Sequence, residues 1–131
     1  MRTVRPVDRA GFECLDDSEC LRLLRTVPFG RLVFTRGGLP AVRLLGFRVD
    51  EDTIVFASDN DDEIRAALRG DVVAFEADDL DADQQVVRTV TTLGHLSVVS
   101  PEEAEVLALA EPGRQLIRLG VESLTGHRLL V

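Results

Sequence analysis

Lysine, tyrosine and tryptophan are all missing from the 131 residues, and the aromatic content is six phenylalanines. Without lysine there is no amine for a Schiff base and no ammonium to anchor a phosphate, so every cationic task falls to arginine. Without tyrosine or tryptophan there is no phenolic acid and no indole stacking platform. Cysteine is scarce too. Cys14 and Cys20 are too few and too close together for a secreted disulfide framework, and free thiols are the expectation. Combined with His95 and His127 they match no compact zinc spacing, so no metal site is expected. No apolar run approaches a bilayer span, and MRTVRPVDRAGFE has basic residues but no apolar signal core. The expectations are therefore no membrane partner and a cytoplasmic location.

Positive charge is also in deficit. Fifteen basic residues face 23 acidic ones, for a formal net charge of −8. Such a surface repels a phosphate backbone instead of gaining from counterion release, which argues against nucleic acid as a partner. What the chain does have is 45% hydrophobic residues distributed without repeats or low-complexity tracts. That suffices for one globular domain over residues 1–131, with 1–14 read as a flexible, arm-like segment.

The segment DDSECLRLLRTVPFG opens with Asp16 as N-cap and Glu19 three residues on, a capping-box pattern. Cys20, Leu23, Leu24 and Val27 then fall on one helical face. RLVFT, PAVRLLGFRV and TIVFAS follow, short β-branched runs divided by turn residues, which predict an antiparallel meander. SDNDDEIRAALRG predicts a short helix with Asn60 and Glu63 in capping-box register, Ile64, Ala67 and Leu68 on one face, and Gly70 as its stop. DVVAFEA is a strand. VVRTVTTLGHLSVV is one bent strand or two, with Gly94 at the bend. Ser100, Pro101 and Glu103 start a third helix that Pro112-Gly113 ends, and QLIRLGVE is a strand before a turn at Thr125-Gly126. The sum is a mainly β chain: an antiparallel barrel of six to seven strands with about three short helices.

The order of these segments resembles the pyridoxamine 5′-phosphate oxidase-like family, the FMN-binding split β-barrels. The resemblance rests on DDSECLRLLRTVPFG running into GRLVFT, the hairpin LPAVRLLGFRVDEDTIVFAS, IRAALRG followed by DVVAFEADDLD, then TLGHLSVVSPEEAEVL and the ending LGVESLTGHRLL. It implies a split-barrel homodimer that encloses a small-molecule ligand. The implied cofactor is FMN, with FAD, a deazaflavin or haem as alternatives, and the implied activity is oxidoreductase chemistry on a small organic substrate. The competing reading is a non-catalytic split-barrel dimer that has lost FMN and serves as a ligand-binding or interaction protein.

Carried across residue by residue, the resemblance places Leu44, Leu45, Gly46 and Phe47 beside the flavin ring, where relatives have a Pro-Val-Asn-Tyr-like stretch. Ala57 and Ser58 stand where relatives have Arg/Thr, and after the turn that holds Asn60 the residues Asp61, Asp62 and Glu63 stand where relatives have a Gly-Ser-Lys phosphate anchor. Arg88 and Thr89 stand in a strand where Trp-Ser-Val is common. Arg43, Arg65, Arg69 and Arg88 are the arginines that could replace the missing lysine, if they converge. No catalytic side chain is implied.

The anchor's charge is reversed here, since Asp59, Asp61, Asp62 and Glu63 crowd the helix start. Acids in a first turn complement the helix dipole by roughly 0.3–1 kcal/mol each. A carboxylate about 4 Å from a phosphate charge would repel it by about 4 kcal/mol at an effective dielectric of 20. The expectation is that this loop excludes a dianionic tail and that Glu63→Lys would restore a cationic anchor.

Overall fold

The computed structural model describes Val7 and residues 12–130. In chain order the elements are β1 (Glu13–Cys14), α1 (Asp17–Thr26), β2 (Phe29–Arg36), β3 (Leu39–Gly46), β4 (Arg48–Asp50) and β5 (Thr53–Ser58). They continue with α2 (Asp61–Arg69), β6 (Val72–Asp81), β7 (Val86–Val98), α3 (Pro101–Leu107) and β8 (Gln115–Leu130). All strand pairings are antiparallel, and the order across the sheet is β3-β2-β6-β7-β8-β5-β4, with β1 added on β8.

That order contains the closure. β3 and β4 are the two ends of the path, yet only Phe47 separates them in the chain. Two residues apart means at most about 7 Å between Cα atoms, so the sheet must curl until its edges meet. The result is the split antiparallel barrel that the segment order implied. PAVRLLGFRV, expected as one strand of a meander, is instead cut at Phe47 and supplies both edges. The Phe47 ring is half-buried and lies edge-on to Phe75 at 4.7 Å between centroids, so burial of that ring holds the corner.

The core follows the two-residue period of the strands. Leu32 and Phe34 of β2, Val73, Phe75 and Ala77 of β6, and Val90 and Leu96 of β7 are buried together with Cys20, Leu23 and Leu24 of α1. A smaller cluster of Val55, Val99, Ala104 and Leu116 lies under α3. Among the described residues no helix is long and apolar enough to cross a membrane.

Helix starts behave as the caps dictate. Asp16 accepts from Glu19 N–H at 2.8 Å while the Glu19 carboxylate accepts from Asp16 N–H, a complete capping box. Ser100 accepts from Glu103 N–H, and Pro101 occupies the first turn of α3. Helix ends differ from expectation. α3 stops at Leu107, with Ala108 left-handed at φ 55°, well before Pro112-Gly113. Its carboxylate Glu103 reaches out to Arg118 instead of back to its cap, and Arg118 also bonds Asp50 and Thr53, so α3 is tied to the β4–β5 hairpin.

Two more expectations change, and the one at Gly94 is met. Thr125-Gly126 is no turn, because β8 continues through it to Leu130 in register with β7. β7 is a single strand whose register shifts between Leu93 and Gly94; a Cβ on Gly94 would lie 1.7 Å from the Gly120 carbonyl, so only glycine allows the close approach at this bulge. Of the arm, Glu13–Cys14 form β1, and Val7 bridges to Glu13; residues 1–6 and 8–11 lie outside the described residues.

Candidate functional site: a groove at the split

Arg43 stands opposite the buried Leu32 in the β2–β3 ladder, which puts it on the inward side of an edge strand. An arginine there needs a counter-ion, and α2 provides it. Glu63, with no exposed surface, places Oε2 3.0 Å from Arg43 Nε. The guanidinium N–H is not aligned on that oxygen, and Oε2 accepts no hydrogen bond, so the contact is an ion pair held by charge. The other oxygen, Oε1, accepts from the buried Ser58 hydroxyl at 2.7 Å.

This corrects the capping-box expectation for α2. Asn60 does accept from Glu63 N–H at 3.1 Å. The reciprocal bond is replaced by a relay, in which Asn60 N–H donates to Ser58 Oγ and Ser58 donates to Glu63. The Glu63 carboxylate turns inward because Ala66 and Ala67, with Glu63 itself, form the buried face, whereas Leu68 is 71% exposed. The helix is rotated from the Ile64, Ala67, Leu68 face that apolar periodicity selects. Gly70, left-handed at φ 70°, ends it as expected.

Glu63 is therefore shut away from solvent behind Arg43. Its charge is already matched by Arg43, and lysine in its place would bury a second cation beside the first. The expected gain from Glu63→Lys is withdrawn for that reason.

Arg43 also lines a groove of about 350 Å³ at the split, shared with Leu44, Leu45, Gly46 and Phe47 of the β3–β4 corner. The opposite wall is Val55, Phe56 and Ala57 of β5, Leu116 of β8 and Leu109, Glu111 and Arg114 of the segment after α3, with Arg48 at the β4 end. Three arginines against one carboxylate make it a positive lining in a chain of net charge −8. Field lines concentrate in such a cleft and draw anions.

The sequence-derived candidates divide. Arg43, Leu44, Leu45 and Gly46 line the groove together, and Ser58 and Asn60 connect to it through Glu63. Arg65 does not line it and pairs with Asp62 at 3.0 Å, not with Asp61 as its i, i+4 spacing suggests. Arg88 pairs with Asp79 and faces a separate cavity of about 260 Å³ bounded by Leu15, Glu19, Arg22, Leu23 and Thr26. Thr89, opposite Asp78 and His127 in the ladders, does not line the groove. His95 Nδ1 contacts the Glu122 carboxylate at the surface.

Arg48, Arg114 and Glu111 were absent from the sequence-derived set. Nothing local marks them, since they meet only because the segment after α3 folds back over the β4 end of the sheet.

Known proteins place this architecture. The sequence profile described as pyridoxamine 5′-phosphate oxidase matches residues 16–125. The chain belongs to this family. The uncharacterized protein Rv0080 of Mycobacterium tuberculosis is 37% identical over 94 residues, 68% of this chain, and the chain matches 62% of that relative's length. The structure of an FAD binding protein from Mycobacterium smegmatis superposes with a TM-score of 0.76 at 26% identity, covering 90% of this chain and 98% of that one. An FAD-binding protein from Mesorhizobium loti superposes at 0.75 with 18% identity, covering 90% and 98%, and shares the fold. The family match spans both walls of the groove, from Arg43 to Leu116.

Proposed function

We propose that the chain is a flavin-binding oxidoreductase of the pyridoxamine 5′-phosphate oxidase family that seats its cofactor in the groove at the split and acts on a small organic substrate. The observation that carries this reading is the groove itself: an apolar wall of Leu45, Phe47, Val55 and Phe56 with an arginine-rich rim. A flat tricyclic ring fits the first and a ribityl phosphate the second. The volume lies near the lower end of the roughly 300–1,000 Å³ typical of small-molecule sites. FMN and FAD share this ring and first phosphate, and FAD is the form named for the similar Mycobacterium smegmatis protein.

When bound, a flavin supplies the hydride chemistry; the chain's own residues bind, orient and keep water away. Leu45, Val55, Phe56 and Leu116, all buried or nearly so, exclude water from one side of the groove. No described residue in the lining is a general acid other than Glu111, which is exposed on the rim.

We place the active form as a homodimer. Supporting it, Val42, Val33, Ala74 and Leu93 stand side by side across β3, β2, β6 and β7, with Val42 64% and Leu93 45% exposed. An apolar row across four strands is the kind of surface a second copy covers.

The test is the absorbance spectrum of the protein as purified, followed by thermal melts with FMN, FAD, a deazaflavin and haem. A yellow protein, or a melting temperature that one flavin raises with the logarithm of its concentration, supports the reading. A colourless protein unmoved by every flavin favours the second reading, an interaction or binding protein that has lost its flavin. The specific observation on that side is Glu63, whose carboxylate occupies the inner face of Arg43.

A further inference from the structure

The three groove arginines are not equally available. Arg43 has the Glu63 carboxylate 3.0 Å behind it, and that carboxylate has no exposure to water that could screen it. For an anion about 4 Å from the guanidinium, a carboxylate about 7 Å away cancels roughly half of the attraction by distance alone. Arg114 has Glu111 at 3.5 Å, but both are half in water, where such a pair is weak and opens readily. Arg48 is exposed on β4, directly after Phe47, and has no carboxylate partner among the described residues.

The acids at the start of α2 do not interfere at this end. Asp59, Asp61 and Asp62 are not part of the groove lining. The least compensated positive charge of the groove therefore sits at its β4 rim, on a residue outside the helix start where the sequence resemblance puts the phosphate.

We propose that Arg48 holds the anionic end of the groove's ligand, a phosphomonoester or pyrophosphate, with Arg114 joining from across the rim and Arg43 serving as the counter-ion of Glu63. This rests on the flavin reading for the identity of the ligand. It differs from that reading in naming an anchor that lies outside the Ser58–Asn60 turn.

The experiment compares dissociation constants for riboflavin and FMN, which differ only in the phosphate, in the full chain and in R48M, R114M, R43M/E63M and R36M. Arg36 is exposed at the β2–β3 turn and absent from the groove, so R36M controls for loss of one charge. Expected is a fall of roughly tenfold or more in the FMN-to-riboflavin affinity ratio in R48M, as loss of a charge-assisted contact produces. R114M lowers the ratio less, R43M/E63M less than R48M, and R36M leaves it within about twofold. An unchanged ratio in R48M, or a larger loss in R43M/E63M, overturns the proposal. If the wild-type chain binds neither flavin, the flavin reading fails on its own, and inorganic pyrophosphate becomes the probe. Pyrophosphate binding that R48M abolishes then sustains the anion site; no binding, or binding indifferent to R48M, overturns it.

Discussion

Arg43 and Glu63, twenty residues apart in the chain, form an ion pair of 3.0 Å across the gap between an edge strand and a helix, with the carboxylate fully buried. Breaking such a pair from one side leaves an uncompensated buried charge, which costs about 3–5 kcal/mol in general. About a third of Arg43 remains exposed, so the lower end applies: R43M should destabilise by roughly 3 kcal/mol. Replacing both partners by apolar residues of similar volume, R43M/E63M, should recover most of that loss. Urea denaturation of the four members of the cycle measures the coupling; additive single effects would show the pair to be independent.

Gly126 and Cys20 make a second close relationship. A Cβ at Gly126 would lie 2.4 Å from Cys20 Sγ and 3.2 Å from Leu15 Cδ1. G126A should therefore destabilise by about 1–3 kcal/mol through overpacking. Removing the sulfur makes room, so C20A should be less harmful in the G126A background than in wild type. Equal effects in both backgrounds would mean that the sheet shifts and not the side chain.

Cys20 itself is pushed up to about 11 by burial and then by the charges of Asp17, Asp16 and Glu19. The folded chain therefore keeps this proton while the unfolded chain, with an ordinary thiol, loses it. Stability from this group is complete below the unfolded value near 9.0 and declines as pH rises toward 11. Wild type should lose stability over that window more steeply than C20A, as followed by denaturation midpoints. At neutral pH, Cys20 should react with a thiol reagent only on unfolding.

Val42 lies at the exposed end of the apolar row, opposite Val33. V42R places a charge where a second copy is proposed to sit. Light scattering should find a dimer for wild type and a monomer for V42R, with the far-ultraviolet circular dichroism unchanged. A monomeric wild type would remove the dimer proposal.

Local patterns were readable because local forces make them. Asp16, Asn60 and Ser100 cap their helices as their side chains require, and Gly70 ends α2 where a left-handed residue is needed. The alternation in RLVFT and DVVAFEA likewise assigns Leu32, Phe34, Val73 and Phe75 to the interior.

Where patterns failed, a distant partner had overridden them. PAVRLLGFRV is apolar throughout, and nothing in it shows that Phe47 must turn a corner to bury its ring against Phe75. Glu63 reads as one more acid of a solvated helix start until Arg43 arrives from another strand.

By itself, then, the chain's order of residues determined most of the strands, the helix N-caps, a mainly β antiparallel class and a dependence on arginine for every cationic task, since each follows from near neighbours or composition. The split of the barrel was implied only by the resemblance to a known family. Only the tertiary structure decided which carboxylate is buried, which arginines line the groove and which one is left without a carboxylate partner among the described residues. Those depend on how the fold brings together segments 20 to 70 residues apart, pairing Arg43 with Glu63 and setting Arg48 and Arg114 in the lining of one groove, and no spacing rule reaches that far.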